Sequence, residues 1–322
     1  MRYRRACLLS LVLCLGTAAA GDKIRPVPAV VKAKPGSVRV LFFRDAAPAE
    51  LSPAAEPPTG KKVCALAELP LVLTEPCVVT TGGLTFRVEQ EGLYRFCNLS
   101  TKETANVILY RGDAWRFAGH LSRLQVHGWR QDGESVARWT ERARKGRLSI
   151  SCGNIVRFVA HHLAERGHRS RMVQLVTLEE HNHYDDGHVL MEVFDEREKR
   201  WILYDPDMKC RFKYEGRYLN LGEAVALYRK GGTAELEFFC PPAIDTYAEE
   251  KVLAESAQYS VLFEWAFRDA SARQAWYRRM LQVPLLNGSA GAWREADVAR
   301  IRATGYGKPL AWDAWMKAAY SK

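Results

Sequence analysis

The chain has 322 residues, of which 48% are hydrophobic and 26% are charged, and its formal net charge is +10 at pH 7. This length accommodates two or three domains, and the composition is ordinary for a globular protein. The positive residues are dispersed, and the densest run, residues 138–147, is better explained as a solvated helix face than as a polyanion site. We therefore expect no nucleic-acid partner.

The N-terminal segment has the layout of a secretory signal peptide. Residues 2–5 include three arginines, residues 6–15 form a short apolar run, and small residues precede a cleavage position near Ala20. We predict a signal peptide over residues 1–20 and an exported protein, periplasmic or extracellular after cleavage. The apolar run is too short for an ordinary transmembrane helix, and no other stretch approaches 18 uninterrupted apolar residues, so no integral membrane span is predicted in the mature chain.

Export changes the interpretation of the cysteines, because exported proteins can keep disulfides. Two of the eight cysteines lie in the signal segment. Six remain, and one bridge within the first three and one between the last two are open possibilities whose connectivity the sequence does not give. They are Cys64, Cys77, Cys97, Cys152, Cys210 and Cys240.

The hydrophobic pattern divides the mature chain into four parts. An extended arm rich in proline and lysine (21–36) precedes a small all-β domain, expected to be a sandwich, over residues 37–112. Helical and strand patterns then mix over residues 113–245, and a helical C-terminal extension follows over residues 246–322. The predicted fold class is therefore α+β.

The central part contains the most regular elements. A helix is predicted from Cys152 to Arg166, with Ser149 or Ser151 as its cap and Gly167 as its stop. Strands follow over residues 171–178, 187–195 and 200–204, and the charged turn 196–199 joins the last two into an antiparallel hairpin.

Cys152 is a candidate nucleophile because of its predicted position at the start of that helix. The unpaired N–H groups and the dipole of a helix N-terminus favour a thiolate. The same N–H groups can hold the oxyanion of a tetrahedral intermediate, and Gly153 leaves room for an acyl group.

His188 and Asp205 supply the base and its orienting partner. His188 begins one strand of the predicted hairpin and Asp205 closes the other, and the turn puts them within about one residue of direct opposition. A carboxylate at that range can hold one imidazole nitrogen and direct the other toward the thiol. The predicted catalytic residues are therefore Cys152, His188 and Asp205.

This ordered set resembles the transglutaminase-like superfamily, which has a papain-like core. The resemblance covers roughly residues 115–215 and is carried by the cysteine at a helix start, the turn Gly167-His168-Arg169-Ser170-Arg171, the run from His188 to Val193, and the run from Trp201 to Pro206. It implies a core in which the helix bearing the cysteine packs on an antiparallel sheet. It also implies an upstream second oxyanion donor, for which Gln125, Trp129 and Gln131 are the candidates.

The predicted function is an exported thiol enzyme that acts on amide or peptide bonds through an acyl-enzyme, by hydrolysis or by amine transfer. Its expected partner is a protein or peptide substrate or a cell-surface polymer, and no cofactor or metal is predicted. The alternative is an inactive module of the same fold that binds a cell-surface protein or polysaccharide. Six histidines between residues 161 and 188 raise a minor metal-site interpretation, with Cys152, His183 and His188 as the ligands to suspect.

Overall fold

The computed structural model describes residues 38–44, 49–54, 62–99, 101–180, 186–239 and 269–321. The predicted signal peptide and arm, His181, His183, Cys240 and the first part of the predicted C-terminal extension lie outside these ranges.

The first part of the described chain is built mainly from strands. A five-stranded sheet has the order β2-β1-β7-β8-β4, and a three-stranded sheet has the order β3-β5-β6. Val40 and Phe96 from the first sheet share a buried cluster with Val79 and Phe86 from the second. The strands are β1 (Val38–Phe43), β2 (Ala49–Glu50), β3 (Val63–Ala65), β4 (Val72–Leu73), β5 (Cys77–Thr81), β6 (Leu84–Val88), β7 (Gly92–Asn98) and β8 (Thr104–Leu109), with a 3₁₀ turn at Leu66–Glu68.

Three helices and a short parallel strand pair follow. Asp113 begins the first helix by accepting bonds from the backbone N–H groups of Trp115 and Arg116, which satisfies two donors that have no intrahelical partner. The elements are α1 (Ala114–Arg123), β9 (Gln125–His127), α2 (Val136–Lys145), β10 (Leu148–Ile150) and α3 (Cys152–Ala164).

The largest sheet has nine strands in the order β15-β14-β13-β12-β11-β17-β18-β19, with β16 paired to β14. Its strands are β11 (Ser170–Val176), β12 (Gly187–Asp195), β13 (Arg200–Asp205), β14 (Cys210–Tyr214), β15 (Arg217–Tyr218), β16 (Glu235–Phe238), β17 (Val283–Leu286), β18 (Ser289–Ala292) and β19 (Lys308–Ala311). The accompanying helices are α4 (Leu221–Arg229), α5 (Ala270–Met280), α6 (Glu295–Thr304) and α7 (Trp312–Tyr320).

The described part of the C-terminal extension is not purely helical, which corrects the sequence prediction. Strands β17, β18 and β19 extend the large sheet, and β17 pairs antiparallel with β11. Asn287 and Gly288 both have positive φ angles, 51° and 74°, between β17 and β18. An Asn-Gly pair with this backbone is a strong hairpin signal, and its significance was missed because the flanking strands are only four residues long.

Helices cover both faces of the large sheet. Met191 and Val193 of β12 pack in one buried cluster with residues of α1, α2 and α3, while Leu190 packs in another with residues of α4, α5 and α7. Strand alternation explains this division, because successive side chains point to opposite faces. The first cluster also includes Leu93 and Ile108, so the early strands and the helices share a core across the predicted boundary near residue 112. The mixture of helices and mainly antiparallel sheets confirms the α+β class.

Candidate active site

Cys152 is the first residue of α3, as the sequence predicted. Ser151 occupies the N-cap position, but its side chain makes no cap hydrogen bond. Instead, the backbone N–H of Ser151 donates to Oδ1 of Asp132 at 2.7 Å, which holds the start of the helix from outside. Backbone N–H groups in the first turn have no intrahelical acceptor, so those of Cys152 and Gly153 belong to the end of the helix that favours anions.

The β12–β13 hairpin brings His188 and Asp205 together. The ladder pairs Met191 with Tyr204, the register expected from a turn at residues 196–199. Continuing that register puts Asp205 opposite Leu190, so His188 lies diagonally from Asp205, two residues further along the strand and on the same face. Nε2 of His188 is 2.9 Å from Oδ2 of Asp205, and both side chains are buried.

The carboxylate of Asp205 is held by four hydrogen bonds. Its Oδ1 accepts from the backbone N–H groups of Asp207 and Met208, each at 3.0 Å, and this fixes the turn after β13. Its Oδ2 accepts from His188 and from the hydroxyl of Tyr277 at 2.8 Å. With every acceptor direction used, the carboxylate has little freedom to leave the imidazole.

Cys152 and His188 are close enough for each side chain to shift the other's pKa, which connects the thiol to the His188–Asp205 pair. Burial alone would raise the pKa of Cys152, but its interaction with the His188 side chain lowers it. Burial would likewise lower the pKa of His188, but Asp205 and the thiolate of Cys152 raise it well above its ordinary value. A lowered pKa of the thiol and a raised pKa of the imidazole each favour the charged form of the group. The site therefore favours a thiolate–imidazolium pair.

Helix α5 contributes two residues that sequence reasoning did not select. Tyr277 is fully buried, and its hydroxyl bonds Asp205 and lies 3.4 Å from Sγ of Cys210. The ring of Trp276 meets the His188 imidazole edge to face, with 4.9 Å between centroids. Together they cover the His188–Asp205 bond on the face of the sheet that packs against α5. The only sequence signal for this is an adjacent pair of aromatic residues in the predicted helical extension.

A second imidazole–carboxylate pair lies beside the first, and the sequence did not predict it. Nδ1 of His127, at the end of β9, is hydrogen-bonded to Oδ2 of Asp207. Although burial disfavours its cation, the charge of Asp207 raises the pKa of His127. The charges of His127 and Cys152 also shift each other's pKa in the direction that favours an ion pair. His127 is therefore an upstream residue electrostatically coupled to the candidate nucleophile.

The three predicted upstream oxyanion donors occupy different environments. Gln131 is engaged in the fold, because its Oε1 accepts from the backbone N–H of Ser149 at 2.6 Å. Gln125 is buried, and neither polar atom of its side-chain amide has a hydrogen-bond partner. Trp129 is 54% exposed in the turn after β9. His127 lies two residues after Gln125 and therefore on the same face of a short strand. This spacing is the sequence signal that could have added His127 to the upstream candidates.

The five cysteines within the described residues are free thiols. Cys64 and Cys77 nevertheless share a buried cluster, and burial together with the influence of Cys64 raises the pKa of Cys77 to about 11. Cys97 lies in β7, and Cys210 is buried next to Tyr277. The contrast with Cys152 is in the direction of the shift, because the pKa of Cys77 is raised and that of Cys152 is lowered.

The last turn of α3 carries a second histidine cluster. Within the described ranges, His161, His162 and Glu165 are the group whose ligand atoms lie close enough to hold a metal ion. Nδ1 of His162 is 3.0 Å from Glu165, and Nε2 of His161 is 3.4 Å from the same carboxylate. The two imidazoles, although adjacent in sequence, thus reach the same carboxylate. The suspected set of Cys152, His183 and His188 includes a residue outside the described ranges.

The basic run on α2 borders a surface groove of about 520 Å³. Part of its charge is neutralised locally, because Arg142 pairs with Glu134 and Arg144 pairs with Glu141. The groove contains none of the three predicted catalytic residues, and its lining consists of Arg130, Gln131, Glu134, Arg138, Glu141, Arg142, Lys145, Gly146 and Arg147.

Within the described ranges, no helix combines the length and the apolar character that crossing a bilayer requires. Comparison with protein-family models, with curated proteins and with solved structures found no match to this chain.

Proposed function

We propose that this chain is a thiol enzyme that cleaves amide or peptide bonds through an acyl-enzyme on Cys152. The observation that carries the proposal is the position of Cys152 at the start of α3 beside His188, whose imidazole is hydrogen-bonded to the buried Asp205 carboxylate. A structural cysteine has no need of a lowered pKa, a helix N-terminus and an imidazole held by a buried carboxylate at the same time. The resemblance to the transglutaminase-like superfamily supports the same assignment.

The first half of the proposed reaction forms the acyl-enzyme. The thiolate of Cys152 attacks the carbonyl carbon, a C–S bond forms, and the carbonyl π pair moves to oxygen. The N–H groups at the start of α3 stabilise this oxyanion. When the intermediate collapses, the C–N bond breaks and the His188 imidazolium gives its proton to the leaving amine. Because Nε2 of His188 is bonded to Asp205, Nδ1 is the nitrogen that exchanges the proton.

The second half resolves the thioester. His188, now neutral, removes a proton from the acceptor as it attacks, and the C–S bond breaks to regenerate the thiolate. Water as the acceptor gives a carboxylic acid, and an amine gives a new amide. Asp205 transfers no proton and keeps the imidazole in one orientation. The proposed setting is outside the cytoplasm, with a protein, a peptide or an amide-containing cell-surface polymer as substrate.

A thiol-directed probe tests whether Cys152 is the reactive group. We expect iodoacetamide at pH 6.5 to label Cys152 of the folded protein far faster than a small-molecule thiol, and His188→Ala to abolish the difference. His168→Ala is the matched control, because His168 is also part-buried and hydrogen-bonded, to Tyr110 at 2.6 Å, but lies beyond the far end of α3. Labelling no faster than the free thiol would contradict the proposal and favour a non-catalytic binding module.

Turnover and acceptor are tested in one experiment. Purified protein and Cys152→Ala are each incubated with exported proteins and cell-wall fragments in H₂¹⁸O, with and without an added primary amine. Hydrolysis adds one ¹⁸O to the new carboxyl group, whereas amine transfer adds the amine and no label. Products present with the active protein and absent with Cys152→Ala identify the acyl donor. No product in either form, with a reactive Cys152, would contradict the proposed enzyme and favour a non-catalytic module.

A further inference from the structure

The turn that follows β13 supplies two buried carboxylates, and each one holds a different histidine. Asp205 bonds His188, and Asp207, two residues later, bonds His127. Asp205 also accepts the backbone N–H of Asp207 at 3.0 Å, so one hydrogen bond fixes the spacing of the two carboxylates. The side chain of Asp207 is 4% exposed, which means that its charge is desolvated and depends on its partner.

His127 reaches the site from the opposite side to the hairpin. Strand β9 runs parallel to β10, and His127 pairs with Ile150, two residues before Cys152. Because the chain passes from β10 through Ser151 directly into α3, this register puts His127 level with the start of the helix. Cys152 therefore has an imidazole from β12 and another from β9 close enough for the charge of each to lower its pKa.

We propose that His127 and Asp207 form a second imidazole–carboxylate pair of the Cys152 site, in which the His127 cation stabilises the thiolate and then the oxyanion that replaces it. The inference rests on the proposed function for the oxyanion step alone. When the thiolate attacks, negative charge passes from sulfur to the carbonyl oxygen, and a cation beside both atoms favours both states. His127 transfers no proton in this step.

The charged groups around His127 support this role. Asp207 faces it from the turn after β13, Cys152 from α3 and His188 from β12. The Asp207 carboxylate and the Cys152 thiolate favour the His127 cation, and the His188 imidazolium opposes it. In return the charge of His127 lowers the pKa of Asp207 against the effect of burial. If the His127–Asp207 pair served only to connect β9 to this turn, a neutral hydrogen bond would be sufficient.

The variant His127→Gln separates charge from structure, because the glutamine amide can still donate to Asp207 but carries no charge. We expect the midpoint of Cys152 alkylation by iodoacetamide to rise by about one pH unit, which slows alkylation below the midpoint roughly tenfold. The ratio of the rates with anionic iodoacetate and neutral iodoacetamide should fall several-fold. His161→Gln, which changes an exposed imidazole on the last turn of α3, should alter neither value.

A His127→Gln protein that is folded by circular dichroism and keeps both the midpoint and the ratio would overturn the inference. If this variant does not fold, the wild-type protein decides, because NMR of ¹⁵N-labelled histidine reports the charge of His127 directly. A His127 ring that is neutral at the pH where the Cys152 thiolate forms would also overturn it. Alkylation requires no substrate, so a shifted midpoint without any detectable turnover would refute the proposed function and leave this inference standing.

Discussion

Replacing Asp205 by asparagine should remove the stabilisation of the Cys152 thiolate while leaving the turn after β13 intact. Oδ1 of Asp205 accepts two backbone N–H groups, so the oxygen of an asparagine must remain there. The amide nitrogen then takes the place of Oδ2, facing Nε2 of His188 and the hydroxyl of Tyr277. An amide N–H donates, so Nε2 becomes an acceptor and the imidazole proton moves to Nδ1. A protonated Nδ1 of a neutral imidazole can no longer accept the proton of the thiol.

The size of the effect follows from the lost charge. Without the Asp205 carboxylate the pKa of His188 falls, and without an imidazolium partner the pKa of Cys152 rises. A thiol with an ordinary pKa near 8.5 is only about 0.3% ionised at pH 6, and burial reduces this fraction further. Each tenfold loss of the ionised fraction corresponds to about 1.4 kcal/mol of lost thiolate stabilisation. We expect the substitution to remove at least this much, so the alkylation rate at pH 6 should fall at least tenfold.

The assay is the rate of iodoacetamide alkylation of the peptide that contains Cys152, followed by mass spectrometry from pH 4 to pH 9. In the wild type the reactive thiolate–imidazolium pair forms as the pH rises through the lowered pKa of Cys152 and disappears as it rises through the raised pKa of His188. Asp195→Asn is the matched control, because Asp195 also holds two turn N–H groups with Oδ1 but lies at the other end of the hairpin. A folded Asp205→Asn protein that is alkylated at the wild-type rate at pH 6 would refute the reasoning.

Two further substitutions separate stability from thiol chemistry. Tyr277→Phe removes one hydrogen bond to the buried Asp205 carboxylate without opening a cavity, so the free energy of unfolding measured with urea should fall by about 1.5–3 kcal/mol. A loss below 0.5 kcal/mol would show that this bond is not formed in solution. Glu192→Gln breaks the buried pair with Arg171 and should cost about 3–5 kcal/mol in the same measurement. Its Cys152 alkylation midpoint should stay at the wild-type value, and a shift above half a pH unit would contradict a purely structural role.

The sequence was most informative where one local pattern determines the geometry. The charged turn at residues 196–199 fixes the hairpin register, and this register alone puts His188 and Asp205 on the same face of adjacent strands. The start of α3 at Cys152 was equally local, since the apolar face of the helix begins there. These elements depend on turn length and side-chain periodicity, which are properties of a few neighbouring residues.

Contacts between distant segments left no comparable trace. His127 lies in a strand of three residues, too short for periodicity to identify, and its partner Asp207 is 80 residues away. Tyr277 bonds Asp205 across 72 residues, and a tyrosine on the buried side of an arginine-rich helix is normally interpreted as ordinary core. The sequence pattern did not predict the strands β17 to β19 because each has only four residues. Asn287-Gly288 nevertheless marks the hairpin turn between β17 and β18.

The chain after β13 explains why so much of the site depends on one short turn. Pro206 has no N–H, so β13 ends at Asp205 and the next N–H groups turn back to its carboxylate instead of continuing the ladder. That turn presents Asp207 to His127, while Asp205 remains available to His188 and Tyr277. A displacement of the turn would therefore weaken the hydrogen bonds of both carboxylates to their imidazoles at the same time. The electrostatic environment of Cys152 is in this sense a single cooperative unit, and substitutions on the two histidines should not be additive.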